Sequence, residues 1–396
     1  MKQQNMLELK FGKQPEGSQG NSSCCAGPGA EAVGPPKNAA CCPDKKQAVP
    51  AWVSGQVMSP AGPVARITTE LSRSDLWEHV KCRASAFRNS YTVNPGLYAV
   101  GNPDKNSDVL VSANYKFSFD VLRSELKGLD VWVLVLDTKG INVWCAAGKG
   151  TFGTDELIKR IQHANLSSIV DHKRIIVPQL GAPGVSAHRV TRATGFRVYY
   201  GPVRAKDVPA FIRSGYKATR EMRRVEFGIV NRLVLTPMEI NPAMKKYLLY
   251  ALIVLVVFGL SPSGVLFRDA SAGVPFLILG LVSVLAGAFL TPLLLPFIPF
   301  RSFAVKGWIM GMASVLLSVK LMAPAGQSSA LLVICEYLFF PLASSYIALQ
   351  FTGSTTFTGM SGVKKELKAA IPLYLLSGAI SAILIIAFKL TQWRVL

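Results

Sequence analysis

The chain is short of acid. Against 43 lysines and arginines it sets only 23 aspartates and glutamates, a formal charge of +20 over 396 residues. Such an excess draws a protein toward polyanions. No nucleic-acid motif accompanies it, and no aromatic strip is interleaved with the basic residues, so nucleic acid is excluded as the partner and an anionic membrane surface fits better. Cysteine is scarce and irregularly placed: of seven, four form the adjacent pairs Cys24-Cys25 and Cys41-Cys42. That is no disulfide framework, and it points to a reducing, cytosolic setting. No C-x-x-C-x-x-C run occurs, so the sequence carries no iron–sulfur cluster of its own. Gly148-Lys149-Gly150-Thr151 falls short of a phosphate-binding loop because glycine, not Ser or Thr, follows Lys149. No stretch in the first 60 residues has the make-up of a signal peptide.

What is present divides the chain in three. Residues 1–60 are rich in Gly, Pro, Ser, Gln and Lys with little apolar periodicity, which predicts a flexible, disordered tail that cannot offset its ordering entropy. Residues 61–235 read as a soluble domain whose first regular element lies near Ile67. Ser74 to Val80 starts a helix, with acidic residues in its first turn, and Asn94-Pro95-Gly96 breaks the chain. Strands are expected at Val109–Val111, Val131–Leu136, Arg174–Val177 and Phe196–Tyr200. Helices are expected at Phe119–Leu129 and from Thr154, which caps a helix burying Leu157, Ile158 and Ile161. Strands alternating with helices argue an α/β, Rossmann-like domain with its ligand crevice at the strands' C-terminal edge.

Residues 236–396 predict an all-α transmembrane bundle. Tyr247–Leu260, Gly273–Leu290, Phe303–Met322, Ala330–Gln350 and Ile371–Leu390 are each near the length needed to cross the hydrocarbon layer. Five spans put Lys245, Lys246, Arg301, Lys306, Lys364, Lys365 and Lys368 on the side of the soluble domain. Arg268, Lys320, Lys389 and Arg394 fall on the other, so the bias predicts a multi-pass protein of the cytoplasmic membrane whose soluble domain faces the cytoplasm. Glu336 lies within the fourth span, either as a functional ionisable group or as a side chain reaching water at the span's end. No role follows for the polar loop Thr352 to Gly362.

The densest chemistry lies just after Val131–Leu136. There the turn Asp137-Thr138-Lys139-Gly140 leads into Asn142-Val143-Trp144-Cys145-Ala146-Ala147-Gly148-Lys149-Gly150. Asn142 is suited to cap a short helix, which would set the Cys145 thiol near exposed backbone N–H groups that stabilise negative charge on sulfur. Ala146, Ala147 and Gly148 would leave the neighbouring surface bare, as a metal carried in a broad planar macrocycle requires. Cys145 could otherwise be a small buried hydrophobe. Trp144 either fills the core or packs on the ring; Lys149 either bonds the cofactor or is solvated.

The segment Asn142 to Thr154 (NVWCAAGKGTFGT) resembles the cap-helix motif of the corrinoid membrane protein of microbial mercury methylation. That family is in turn similar to the corrinoid-binding domain of the large corrinoid iron-sulfur protein of acetyl-CoA synthesis. Pro95 to Tyr98, Val109 to Asp120, Val177 to Gly184 and Gly201 to Asp207 agree with it, so the resemblance covers roughly residues 60 to 235, and the five-span tail fits. It implies a corrinoid (cobalamin-type, cobalt) cofactor with Cys145 as lower axial ligand. None of His79, His163, His172 or His188 lies in the D-x-H-x-x-G pattern that supplies a histidine to cobalt in many cobalamin proteins. Residues 142–151, that is Asn142 to Thr151, together with Asn114, Gln179, Gly181, Gly184 and Gly201, are the candidate cofactor-binding set. By this resemblance the activity is methyl transfer to Hg(II), giving methylmercury. The methyl group would come from a methyl donor protein or methylated folate, and electrons from a ferredoxin-like [4Fe-4S] protein. Cys24, Cys25, Cys41 and Cys42 are soft ligands that could capture Hg(II), or are incidental. Two other readings stay open: a membrane corrinoid methyltransferase with a different acceptor, and a transporter with a nucleotide-binding regulatory domain.

Overall fold

A computed structural model of the protein describes residues 50–261, 264–265, 271–322, 329–351, 355–358 and 360–393. Cys24, Cys25, Cys41, Cys42, Arg268 and Arg394 lie outside the described residues, as do parts of the loop between Thr352 and Gly362. Most of the expected tail lies outside them too, but its last residues belong to a strand, β1 (Val53–Ser59), which turns into β2 (Gly62–Ile67). The hairpin therefore starts before residue 61. Its polar, half-exposed β1 lacks the apolar run that marks a buried strand.

The chain continues through α1 (Arg73–Ala84), β3 (Gly96–Val100), β4 (Val109–Ala113), α2 (Lys116–Glu125), β5 (Val131–Leu136), α3 (Val143–Lys149), α4 (Thr154–His163) and α5 (Leu166–Ile169). Next come β6 (Arg174–Val177), α6 (Ala187–Thr194), β7 (Arg197–Tyr200) and α7 (Val208–Arg213). Seven strands form one mixed sheet, in the order β1-β2-β3-β5-β4-β6-β7. β5, β4, β6 and β7 run parallel, whereas β3 is antiparallel to β5. The α/β expectation holds. β5 (VWVLVL) is buried throughout, as a strand covered on both faces must be. Trp132, Leu134 and Leu136 enter the core shared with α4, whereas Val131, Val133 and Val135 enter the core with Phe119 and Phe211 on the opposite face.

Helix boundaries in the α/β domain differ from those expected. α2 starts at Lys116, not Phe119, because an ion cluster buries its polar first turn. Lys116 and Arg123 are 3% and 1% exposed. Lys116 Nζ lies 2.6 Å from Asp120 and 3.0 Å from Asp75. Arg123 meets the same two carboxylates at 2.7 and 2.8 Å and also donates to the Thr68 and Glu70 carbonyls. His79 Nε2 and the Tyr91 hydroxyl complete the shell of Asp120. Thr154 is not a cap: Gly153 holds that position, and the Thr154 hydroxyl instead donates to the Gly184 carbonyl and accepts from the Ser186 amide.

Five helices are long and apolar enough to cross a membrane: Ile229–Gly259, Ser271–Leu293, Phe303–Met322, Ala330–Gln350 and Ser361–Gln392. They correspond to α8 (Ile229–Gly259), α9 (Val274–Leu285) continued through a π-helical turn into α10 (Thr291–Leu293), α11 (Phe303–Met322), α12 (Ala330–Gln350) and α13 (Met360–Gln392). α8 begins well before the expected Tyr247 and runs through Pro237 and Pro242. Its polar first half is invisible to hydropathy, but it packs on the soluble domain, where the Asn241 side chain donates to the Ala84 carbonyl and Arg88 meets Met238. α11 and α12 approach at Gly307 and Gly311, where a Cβ would come within 2.5 Å of Ala348 and 2.6 Å of Ser344. This is the small-residue packing that membrane helices use. Glu336, 3% exposed, is enclosed by the bundle and does not reach out at a span's end.

The ion cluster makes acid a lever on the soluble domain. Burial alone would raise the Asp75 carboxyl, but the Ser72 amide and Lys116 outweigh it and hold it down to about 2. A depressed carboxylate contributes stability above its unfolded value of about 3.9 and loses it as pH falls toward about 2. Hydrogen exchange of the α1 and α2 amides should stay slow down to about pH 4 and accelerate below it. Asp120→Ala leaves two buried cations, Lys116 and Arg123, with Asp75 as their one carboxylate and should cost about 3–5 kcal/mol, read as loss of amide protection throughout the sheet.

Candidate functional site

The site begins at a reversal in strand order. From β4 the chain crosses to β5 on one side, then back past β4 to β6 on the other, so β4 and β6 diverge and share a single registered pair, Leu110 with Ile176. Open α/β sheets bind ligands at such a switch point. Here a cleft of about 290 Å³ opens between Leu110, Val111 and Ser112 of β4 and Ile176 and Pro178 at the end of β6. Phe117, Ser118, Val121 and Leu122, at i, i+1, i+4 and i+5 of α2, form one wall. Asn142, Val143 and Trp144 form the rim, with Gly201, Pro202 and Val203 opposite.

The rim is positioned by Asn114. Its side-chain oxygen accepts from Thr138 N at 3.0 Å, the Thr138 hydroxyl at 2.8 Å and Gly140 N at 2.9 Å. Lys139 at φ 58° and Gly140 at φ 71° take the left-handed turn that brings all three donors onto one atom. The Thr138 hydroxyl shares its single hydrogen between the Asn114 oxygen and the Ile141 carbonyl, 2.6 Å away, which delivers the chain to the start of α3. Burial pushes the neighbouring Asp137 carboxyl up, but bonds from Lys139 more than offset it and leave it below the usual range. Asn114 is thus 6% exposed and lies beneath the turn. It positions the turn.

Asn142 caps α3 as the sequence predicts: its side chain accepts from Cys145 N at 2.9 Å, and Gly150 closes the helix at φ 82°. Trp144 is 42% exposed on the cleft rim and does not fill the core. Cys145 is exposed, whereas Cys82 and Cys335, the other cysteines among the described residues, are buried. Gly148 and Lys149, one turn on, share the exposed side with it, and a Cβ at Gly148 would meet no atom within 4 Å.

The expectation that Ala146 and Ala147 form a bare surface is corrected. They are 0% and 7% exposed, turned inward onto Phe152, which is wholly buried. Gly181 and Gly184 serve the same joint. A Cβ at Gly181 would stand 2.4 Å from the Phe152 ring, and one at Gly184 would stand 2.1 Å from the Phe152 carbonyl oxygen and 3.2 Å from Ala147 Cα. Their smallness lets the 178–184 loop clamp the cap helix, so they are packing residues. Thr151 is half-buried, its hydroxyl directed at the Ala146 carbonyl, and the Gln179 side chain accepts from Arg223. Of the sequence candidates, then, Asn142, Val143, Trp144 and Gly201 line the cleft, while Cys145, Gly148, Lys149 and Gly150 stand exposed beside it. Sequence reasoning missed Phe152 as the plug and the α2 wall. The helical spacing of Phe117, Ser118, Val121 and Leu122 would have shown the wall had the helix been started at Lys116.

These features define a class: an open α/β domain with an apolar cleft at its switch point, a thiol on the rim, and an attached bundle of candidate membrane helices. Residues 84–212 match the family model of the CO dehydrogenase/acetyl-CoA synthase delta subunit. Over 127 residues the chain is 31% identical to the acetyl-CoA decarbonylase/synthase complex subunit gamma of Methanopyrus kandleri, covering 32% of this chain and 27% of that protein. It is 29% identical over 150 residues to the same subunit of Methanocaldococcus jannaschii (36% and 30%). The corrinoid/iron-sulfur protein large subunit of Moorella thermoacetica is 28% identical over 151 residues (36% and 33%). The chain thus spans about a third or less of the length of these relatives, and the family-model match falls on the α/β domain.

Asn114→Ala strands the Thr138 and Gly140 amides, each buried donor left unmade costing about 1–3 kcal/mol. The expected result is faster hydrogen exchange from Thr138 to Gly150 with β1–β3 unchanged. Gly184→Val should undock α3 and quench protection at Phe152, whereas Gly148→Ala, with open space around it, should leave both as they are.

Proposed function

We propose that this chain is a membrane-anchored corrinoid protein that passes a methyl group to Hg(II), giving methylmercury, with the Cys145 thiolate as lower axial ligand of cobalt. One observation carries the reading. The single exposed cysteine among the described residues stands on a cap helix at the rim of a switch-point cleft, within the stretch similar to corrinoid proteins.

The residues present fit such a group. Among the described residues no three His, Cys, Asp or Glu side chains gather to hold a metal, so a metal at Cys145 must bring its remaining ligands with it, as a macrocycle does. The open surface at Gly148 leaves room beside the sulfur. His79 is committed to Asp120 and His172 to the Ser107 carbonyl, and neither lies near α3 in sequence. When bound, the corrinoid supplies a cobalt-borne methyl group able to leave as a carbanion equivalent toward a soft metal. Cys145 would hold the group through its thiolate and would donate electron density to the metal. Asn142 fixes the turn that presents the sulfur, and Phe152, clamped by Gly181 and Gly184, keeps that turn from tilting. Trp144 and the apolar cleft exclude water from the adjoining face.

The same reading draws electrons from a ferredoxin-like [4Fe-4S] protein and the methyl group from a methyl donor protein or methylated folate. Cys24, Cys25, Cys41 and Cys42 would be mercury-capturing thiols. The domain faces the cytoplasm, with Lys245, Lys246, Arg301, Lys306, Lys364, Lys365 and Lys368 toward the same side.

The purified full chain reconstituted with cobalamin should absorb in the visible, which a nucleotide-regulated transporter would not. Cys145→Ala should reduce mercury methylation to background while the domain still folds, and Cys145→His should keep a coordinating group and part of the activity. An alanine variant working at the wild-type rate would refute the ligand role. Assays with Hg(II) and with thiols side by side decide the acceptor.

A further inference from the structure

Two cations are buried without acidic partners where the bundle adjoins the soluble domain. Arg232, on the first turn of α8, is 4% exposed, and neither its Nε nor its Nη1 meets a hydrogen-bond acceptor. Lys306, on the first turns of α11, is 6% exposed and donates to one backbone carbonyl, that of Leu295, with its ammonium 5.9 Å from the Phe357 ring centre. Among the described residues no carboxylate pairs with either.

The two lie around one cluster. Leu235, one turn from Arg232 on the same face, packs against the apolar cluster that contains Leu295, whose carbonyl Lys306 holds. Phe227, just before α8, packs on Phe357, the ring beside Lys306. The nearby polar groups are already engaged: the Thr236 hydroxyl donates to the Leu233 carbonyl, and Glu366 accepts from the Ser302 hydroxyl and the Ala304 amide. A guanidinium enclosed with unmet donors is costly unless an anion completes it, and buried charges in proteins are as a rule paired. Arginine's planar fork matches a phosphate in particular.

We propose that Arg232 and Lys306 form a binding site for a phosphate-bearing anion at the foot of the bundle, binding the span α8 to α11 at the junction with the soluble domain. The site is separate from the Cys145 cleft, and its fate does not depend on what that cleft binds.

The test uses the full chain in detergent, stripped of lipid, then titrated with phosphatidylglycerol, with phosphatidylcholine, or with inorganic phosphate, and read by native mass spectrometry and thermal shift. Wild type should hold one phosphate-bearing adduct and melt at a higher temperature with it. The double variant Arg232→Gln/Lys306→Gln should bind at least about tenfold more weakly, as expected from losing charge-assisted bonds, while Lys365→Gln, an exposed lysine on the same side, should bind as wild type does. Retention of phosphatidylglycerol with no response to phosphate assigns a lipid headgroup; saturation by inorganic phosphate assigns a soluble anion. If wild type gains neither adduct nor stability from any probe, a measurement that needs no variant, the proposal is wrong. It is equally wrong if the double variant binds as tightly as wild type, or if Lys365→Gln loses as much.

Discussion

Three hydrogen bonds converging on the side-chain oxygen of Asn114 determine where the rest of the site can be. They tie the end of β4 to the turn after β5, and that turn can accept the arrangement because Lys139 and Gly140 adopt left-handed backbone. From there the direction of α3 follows, and with it the exposure of Cys145. The second face of α3 is set by volume. Ala146 and Ala147 bring the helix down onto Phe152, and Gly181 and Gly184 let the following loop close over it. A thiol held by a hydrogen-bonded turn on one side and a close-packed joint on the other has little freedom to move. That suits it to hold one coordinate position on a cofactor whose other ligands come from elsewhere.

The wall facing this rim owes its place to a different force. α2 presents Phe117, Ser118, Val121 and Leu122 to the cleft because its other side is pinned by Lys116, Asp120 and Arg123. Two carboxylates and two cations cancel in charge within the cluster, and the backbone carbonyls of Thr68 and Glu70 take up the remaining donors of Arg123. Satisfied in this way, a buried ion cluster fixes a single arrangement of helix on sheet, whereas an apolar contact would tolerate sliding. The contrast with Arg232 is instructive. It is buried to a similar degree and yet has donors unmet, which is why the foot of the bundle reads as a place for an anion and the cluster under α2 does not.

The soluble domain and the bundle are joined by one continuous helix. α8 leaves the domain alongside α1, through the contacts of Asn241 with Ala84 and of Met238 with Arg88, and continues without a break into the apolar span. A continuous helix of this kind restrains the domain relative to the bundle more than a flexible linker would. Within the bundle Gly307 and Gly311 bring α11 close against Ser344 and Ala348 of α12.

The sequence by itself determined the alternation of strands and helices, the buried strand β5, the capped cap helix that carries Cys145 and the five apolar helices, because each of these is a local pattern of periodicity, capping or length. It also sufficed to locate the segment similar to the corrinoid proteins. It left β1 unread, since an edge strand buries too little to show a pattern, and it started α8 late, since hydropathy is blind to a polar helix held by side-on contacts. Which candidates face the cleft was decided only by the tertiary structure. Asn114, Ala146, Ala147, Gly181 and Gly184 look in the sequence like ligand contacts, for small and polar residues at strand ends serve both ligand approach and close packing. Whether such a residue meets a ligand or a neighbour depends on what stands across from it, and in this chain that is Thr138 and Phe152, brought there by the fold.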